Sequence, residues 1–414
     1  MAKMRTILQP QYVAKFRCIG PACEDSCCIG WQVPIDKTTY QKYRKCADEK
    51  LRSQMDDKVT RNRGANMADD NYAKVKLNDD NSCPFIDSDR LCAIQRQLGE
   101  EWLSLTCATY PRITNKVNGT LERSMTLSCP EAARLALLTT GLMEFDQLEE
   151  SDSIRYNPEK NIDTDDIKLA AKPQRYLWEL RIFIITLLQN RVYPLWQRLV
   201  VLGLFCNQLT ELVGNGKVHD IPMLIGTYLN RLEQGDILSN MEAIPEKQTI
   251  QMELLKELAD ERFATGIISP RFLAYFAEFL QGIQYMEAAG KAEIGVRYAE
   301  AYERYYQPFM EQHEYILENY LVNYVFKNLF PFEGEKHIFD NFMLLVVHYA
   351  MIKMMLIGMS GFHKDKFGMD QVLNLIQSFV KVVEHSPSYL KKVCDLLKAN
   401  QMNTLPYMTI LIKN

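Results

Sequence analysis

No histidine precedes His219, and the whole chain of 414 residues has only six. A zinc finger, or any centre mixing cysteine with histidine, is therefore excluded from the first half. A glycine-rich turn of the G-x-G-x-x-G kind after a strand is also missing, and with it the usual doubly wound nucleotide-binding signature. Gly214-Asn215-Gly216 follows a helical stretch and reads as a helix stop. Long apolar runs are scarce. The best, residues 341–359, is broken by His348 and Lys353, and nothing uninterrupted reaches the ~18 residues of a spanning helix. We expect a buried helix there, and another at 177–189, where Glu179 and Arg181 interrupt the pattern. The opening MAKMRTILQPQYVAKF has no apolar stretch of signal-peptide length, so a cytoplasmic location is expected. Basic charge is not in excess either: the formal net charge is −4, and no nucleic-acid surface is expected. No fixed-period repeat is present, which argues against a solenoid.

Cysteine is unevenly spread. Nine of the eleven lie between Cys18 and Cys129, the others being Cys23, Cys27, Cys28, Cys46, Cys83, Cys92 and Cys107; only Cys206 and Cys394 follow. A hydrophobic core has no need of so many thiols. In a reducing cytosol they favour metal binding or redox chemistry over structural disulfides.

The chain divides accordingly. Residues 1–138 hold the cysteines and most turn signals, and read as a loop-rich module. WQVPI at 31–35 is a short β-rich run. Residues 111–127 carry Asn118-Gly119 between two strand-like segments, the strongest short hairpin signal because both residues tolerate positive φ. A hairpin there would bring Cys107 and Cys129 together. Residues 48–72 read as a helix end followed by a mobile surface loop, and 139–173 as an acidic linker with Pro158 and Pro173. From 174 to 414 helical spacing dominates: Leu177, Leu180, Ile184 and Leu187 recur at three- and four-residue intervals, as do Leu195, Leu199, Leu202 and Cys206. Further helices are expected near 220–233, 247–263, 270–288, 293–307, 312–329, 338–358, 368–384 and 387–399. The expected fold class is mostly α, with the cysteine module and its small β-hairpin in front of a multi-helix domain.

The cysteine spacing fits no common pattern. Cys18-x4-Cys23-x3-Cys27-Cys28 offers one interval of zinc-knuckle size; a ferredoxin run is absent, although Cys83-Pro84 and Cys129-Pro130 have its Cys-Pro element; and the C-x3-C-x2-C pattern of radical-SAM loops fails because its third position is Gly30. What remains is a non-standard all-thiolate site, set against the plainer reading that several of these are ordinary buried cysteines.

At these residues the chain resembles a known family. FRCIGPACEDSCCIGWQVPID, CPFIDSDRLCAIQRQLGEEWLSLTCATYPR and LSCPEAARL resemble the flagellin lysine-N-methylases, and the module itself is similar to the YkgJ-type cysteine-cluster proteins, described as iron- or zinc-chelating. ENYLVNYVFKNLFPF, residues 318–332, is similar to the methylases too. The resemblance implies methyl transfer from S-adenosylmethionine to lysine ε-amines of flagellin, with an iron–sulfur cluster of [4Fe–4S] type. It points to Cys23, Cys27, Cys28, Cys83, Cys92 and Cys107 as metal ligands, and then to Cys18 and Cys129 from the longer methylase pattern. Cys46 matches nothing and is expected to be a packed or surface thiol.

A lysine ammonium is not a nucleophile, so a methylase must deprotonate or desolvate it and align it with the donor methyl. Beside Cys107, Arg112 has the fork to bind a donor carboxylate and Tyr110 a hydroxyl to orient the amine, although both also fit structural roles. Glu24 and Asp25 read as solvated loop charges, Tyr320 and Tyr324 as a core aromatic stripe, and His313, His337 and His348 receive no ligand role. A cluster could act on the donor directly or only staple the module. The expected activity is protein-lysine N-methyltransfer. The alternatives are an iron–sulfur electron-transfer protein and a non-catalytic metal-chelating protein. Flagellin is the expected partner, with no membrane; the oligomeric state is not legible.

Overall fold

The structure, a computed structural model, describes residues 4–31, 33–63, 68–151, 155–235, 241, 256–257, 261, 269–285, 290–333 and 337–413. It falls into two compact units, one built from residues 1–132 and 145–161 and the other from 133–144 and 162–414.

The first unit contains two sheets. Strand β1 (Met4–Pro10) leads into a short helix, α1 (Gln11–Lys15). A small antiparallel sheet follows, β2 (Pro34–Ile35), β3 (Val59–Arg61) and β4 (Ala73–Val75), with β4 in the middle. Between β2 and β3 lie α2 (Lys37–Tyr43) and α3 (Glu49–Lys58). Each starts where an aspartate accepts the orphan amide of the first turn: Asp36 from Thr39 N at 2.8 Å and Asp48 from Leu51 N at 2.8 Å. The expectation of a helix end followed by a loop over 48–72 is corrected in its second part: the helix runs ten residues, with Leu51 and Met55 turned into the core, and continues into strand β3. Residues 64–67 of that stretch lie outside the described residues. The core joins Val33, Ile35, Tyr43, Leu51, Met55, Val59, Val75, Phe85, Ile94 and Leu103. Cys46 is fully buried among them, a packed thiol.

Two short helices, α4 (Ala93–Leu98) and α5 (Leu105–Thr109), precede the hairpin of β5 (Arg112–Val117) and β6 (Thr120–Met125). Its turn has Asn118 at φ +49° and Gly119 at φ +81°, the left-handed pair that Asn-Gly supplies. The hairpin is not isolated. It forms the middle of a five-stranded sheet in the order β7-β1-β6-β5-β8, with β1 parallel to β6. After α6 (Pro130–Leu137), strands β7 (Phe145–Ser151) and β8 (Pro158–Ile162) come from the stretch expected as an acidic linker. That expectation is corrected: β7 pairs antiparallel with β1 along seven residues, from Phe145 opposite Pro10 to Ser151 opposite Met4. Its acidic groups are answered across the ladder, Glu150 by Arg5, Glu149 by Thr6 and Asp146 by Gln11. Charge alone suggested a solvated linker; pairing partners more than 130 residues away decide otherwise.

The second unit is helical. Helices α7 (Leu177–Leu188), α8 (Leu195–Gly214) and α9 (Ile221–Gln234) are followed by α10 (Pro270–Gly282), α11 (Lys291–Ala301), α12 (Gln307–His313), α13 (Tyr315–Asn328), α14 (Ile338–His363), α15 (Met369–Phe379), α16 (Pro387–Ala399) and α17 (Leu405–Ile412). Most of the expected helix at 247–263 lies outside the described residues. Single π-helical turns, Tyr302–Tyr306 and Val380–Glu384, extend α11 and α15. Helix α14 is long and apolar enough to cross a membrane, but it is buried from Ile338 to Ser360 inside the unit. It carries the 341–359 stretch read above as a core helix. Glycine lets α10 approach it closely: a Cβ on Gly282 would stand 1.8 Å from the Gly358 carbonyl oxygen.

Helix α13 is buried on every side from Ile316 to Phe326 although it carries polar residues. Each described contact there closes a pair. Glu318 accepts from Arg198 at 2.7 Å and from Arg191 at 2.8 Å, with Arg198 and Glu318 side chains both only 1% exposed. Asn319 donates to the Thr139 carbonyl at 2.8 Å. Buried charge is tolerated because it is paired and hydrogen-bonded.

Candidate functional site

The first unit gathers its thiols by backbone contacts between distant loops. The segment carrying Cys23, Cys27 and Cys28 lies along residues 81–92: Gly30 N donates to Asn81 O at 3.0 Å, Cys83 N to Cys28 O at 2.8 Å, and Ile29 forms a bridge with Ser82. Arg90 clamps the same segment from the other side, donating to the carbonyls of Pro21 at 3.3 Å and Cys23 at 3.1 Å. Cys92 begins α4. Cys107 sits in α5, whose first turn is capped by Ser104 Oγ at 3.1 Å from Cys107 N and tied to Asp36 by Leu105 N at 3.1 Å. Cys129 follows β6 and precedes α6.

None of the eleven cysteines is in a disulfide. Six of them lie in one electrostatic neighbourhood. Cys83 senses Cys107, Cys92 and Cys27; Cys107 senses Cys92 and Cys27; Cys129 senses Cys23 and Cys27. Cys27 is common to all, and also acts on Cys23 and Cys92. Cys107 and Cys129 flank the hairpin, and Cys27 acts electrostatically on both. Cys18, Cys27 and Cys107 are exposed, and Cys28 takes part through its carbonyl.

The sulfurs are held in a setting of mixed character. Burial pushes the Cys83 and Cys129 thiols up to about 12; the Cys107 thiol is pushed up to about 11 by desolvation of its sulfur although the residue as a whole is exposed, and the neighbouring thiols add to each rise. Cys23 and Cys92 are raised by burial too. Working against this, backbone N–H groups donate to sulfur: Phe85 to Cys83, Gln95 and Ile94 to Cys92, Ala132 and Glu131 to Cys129. Without a cation the thiols stay protonated at neutral pH. With one, the amides are already turned toward anionic sulfur, the second-shell arrangement that metal–thiolate centres use. The donors therefore fit a thiolate-bound metal or cluster in kind and in neighbourhood. Among the described residues no three cysteine, histidine, aspartate or glutamate side chains are closed on a common point.

Aromatic residues that the spacing did not single out line this neighbourhood. Tyr43 is buried against Cys107, Cys92 and Cys83. Trp31 donates its indole N–H to the Cys27 carbonyl and stacks at a tilt on Tyr110, ring centroids 5.8 Å apart. The Tyr110 hydroxyl is already engaged with Ser128 Oγ at 3.2 Å, and burial drives its pKa far up, so it is a neutral phenol. Glu24 and Asp25 lie beside Cys23, whose thiol donates to the Asp25 carbonyl at 3.4 Å.

Arg112 has a different environment. It opens β5, and its guanidinium stands over the Phe16 ring at 5.4 Å. Burial lowers its pKa first, and the nearby Arg123 second. The register puts Arg112, Arg123, Arg5 and Glu150 on one face of the sheet, because Thr114 opposes Arg123, Ile7 opposes Leu121 and Arg5 opposes Glu150. Glu150 is shared by Arg5 at 2.7 Å and Arg123 at 2.5 Å. Arg112 is left, among the described residues, without a hydrogen-bonded or ion-paired acceptor. A half-buried guanidinium in that state is a ready receptor for a carboxylate.

Comparison with known proteins places this arrangement. The family model described as the FliB lysine N-methylase C-terminal domain matches residues 181–411, more than half of the chain. The lysine-N-methylase of Salmonella typhimurium (strain LT2) is 23% identical over 391 residues, covering 93% of this chain and 94% of that protein. The lysine-N-methylase of Salmonella choleraesuis (strain SC-B67) matches to the same extent. The flagellar biosynthetic protein FliU of Salmonella muenchen is 36% identical over 127 residues, 30% of this chain and 73% of that protein. No solved structure matches. The class is that of the protein-lysine N-methyltransferases. Within it, the chain belongs to the FliB lysine N-methylase family.

Proposed function

We propose that this chain transfers methyl groups from S-adenosylmethionine to lysine ε-amines of flagellin, and that the first unit holds a [4Fe–4S] cluster. The observation that carries the reading is the electrostatic neighbourhood that Cys27 shares with Cys23, Cys83, Cys92, Cys107 and Cys129. The flagellar name of the Salmonella muenchen relative and the lysine-N-methylase names of the others support the substrate. Three or four of Cys23, Cys27, Cys83, Cys92, Cys107 and Cys129 would supply the cluster's ligands. Bound there, a cluster would staple the loops and would supply Lewis-acid or redox chemistry beside the donor.

The remaining work belongs to the chain's own residues. Arg112 would hold the donor carboxylate by two parallel N–H···O bonds. Trp31 and Tyr110 would wall off water, and the Tyr110 phenol, bound to Ser128, would act as a fixed dipole and not as a base. The reaction itself is a displacement: the amine lone pair attacks the methyl carbon, the C–S bond breaks, the sulfonium becomes a thioether, and the methylated ammonium sheds a proton. An ordinary lysine has a pKa of ~10.4, so removing its proton near neutrality calls for a desolvated or carboxylate-lined acceptor site.

The test is incubation of anaerobically prepared protein with flagellin and methyl-labelled S-adenosylmethionine, with iron and sulfide assayed per chain. Label on flagellin lysines is expected. Arg112→Lys, which keeps the charge but not the fork, is expected to raise the donor KM at least tenfold with little effect on thermal stability. Absence of label under conditions where the protein is folded and iron-loaded would remove the reading.

A further inference from the structure

Cys92 begins α4 and Cys107 sits in α5, and only residues 99–104 join the two helices. The relative placement of these two thiols is therefore set by one short turn. Gly99, at φ +94°, ends α4 in a conformation that glycine supplies. Leu103 N then closes on Glu100 O at 3.0 Å, and the Leu103 side chain is buried in the core of the small sheet.

Three groups from elsewhere hold this stretch by its backbone. Asp36 accepts from Leu105 N at 3.1 Å, and Lys42 Nζ donates to Glu101 O at 3.0 Å. The third is Arg155. One of its Nη atoms donates to Leu103 O at 2.8 Å and the other to Glu100 O at 2.5 Å. Asp36 and Lys42 lie at and in α2, but Arg155 lies between β7 and β8, in the stretch that rejoins the first unit after residues 133–144 have left it. It is anchored in turn, because the Arg5 guanidinium stands over the ring of the next residue, Tyr156, at 4.2 Å.

The chemistry is that of a lock. A guanidinium is always charged, and its planar fork reaches two acceptors where an ammonium is a point donor. One arm fixes the carbonyl at the start of the turn. The other fixes Leu103 O, directly before Ser104, whose Oγ accepts from Cys107 N at 3.1 Å. The same turn carries Glu100, which acts on Arg112 ahead of Glu150. Fixing a turn before a ligand arrives removes an ordering cost from binding.

We propose that Arg155 is a positioning residue for the thiol site: it locks the link between Cys92 and Cys107, so that both are in place before a metal binds. The proposal rests on the metal reading above for what the thiols hold, and its test does not use methyl transfer. Full-length, reduced, metal-free protein is titrated anaerobically with cobalt(II), and the thiolate-to-cobalt charge-transfer band is followed. Arg155→Ala is expected to bind cobalt at least fivefold more weakly, with a weaker band per bound ion and a thermal midpoint little changed. Arg155→Lys, which reaches one carbonyl, is expected to fall between the two. Unchanged cobalt affinity and band in Arg155→Ala, with or without lost thermal stability, would overturn the proposal and leave a structural tie. Should Arg155→Ala not fold, the unaltered protein decides by amide hydrogen exchange at residues 99–107. Slow exchange already present without metal supports the lock, and protection that arises only with cobalt overturns it. If the unaltered protein takes up no cobalt, the metal reading fails separately, and Cys107 is labelled with iodoacetamide instead. Labelling at least threefold faster in Arg155→Ala supports the positioning, and an equal rate overturns it.

Discussion

Asp36 shows how much can hang on one carboxylate. It accepts from Thr39 N at 2.8 Å, from the Thr39 hydroxyl at 2.7 Å and from Leu105 N at 3.1 Å, so it caps α2 and fixes the start of the helix bearing Cys107. Asp36→Ala is expected to destabilise the first unit by about 1 kcal/mol, the usual loss of an N-cap, read by chemical denaturation. The pH dependence has a definite sign. Burial would raise the carboxyl, but the hydrogen bonds from Thr39 and Leu105 outweigh it and the folded value is lowered. The unfolded chain then takes up the proton first as acid is added. The stabilisation is therefore complete above about pH 4, the unperturbed value, and is lost as pH falls through the folded pKa. Asp36→Asn keeps an acceptor without the charge, and its stability is expected to vary less over that window.

At the level of elements, strand β7 depends on Glu150 more than on its own β propensity. FDQLEES has few β-branched or aromatic residues, but its backbone completes the β1 edge and Glu150 stands between Arg5 and Arg123. The three side chains are 9–14% exposed, so the charges are largely desolvated. Glu150→Gln leaves two guanidiniums facing each other beside Arg112. The expected loss is about 2–3 kcal/mol, below the range for a fully buried pair because some solvent remains. Faster hydrogen exchange at β1 and β7, with β3 and β4 unchanged, would check it. The hairpin next to these strands was legible in advance, because Asn118-Gly119 dictates a local turn. The pairing of β7 with β1 was not, because nothing near residue 150 indicates that Arg5 will lie opposite.

For the molecule as a whole, the first unit is discontinuous in sequence. Residues 1–132 need 145–161 to complete their sheet, whereas 133–144 belong to the helical unit. A chain truncated after residue 138 would leave both edges of the hairpin sheet unpaired, and is expected to lack a cooperative thermal transition by circular dichroism. One truncated after residue 163 is expected to melt cooperatively. If the shorter chain melted as the longer one does, β7 and β8 would be dispensable. In the helical unit the boundaries of α9 and α16 and the start of the core helix α14 followed from apolar spacing and terminal Pro and Gly signals, since these are local properties.

What the sequence determined by itself is therefore what short-range physics controls: the thiol-dense first third, the Asn-Gly turn, the helical periodicity after residue 174, and the helix at 341–359. Tertiary structure decided which groups meet. It put Cys27 in one electrostatic neighbourhood with Cys23, Cys83, Cys92, Cys107 and Cys129, gave Arg112 no described acceptor, and supplied the buried Tyr320 and Tyr324 of the core aromatic stripe with Glu384 and Glu333 as acceptors. Spacing fixes the face of a helix on which a residue lies, but the group waiting opposite comes from a remote part of the chain, and that partner sets charge state and chemistry.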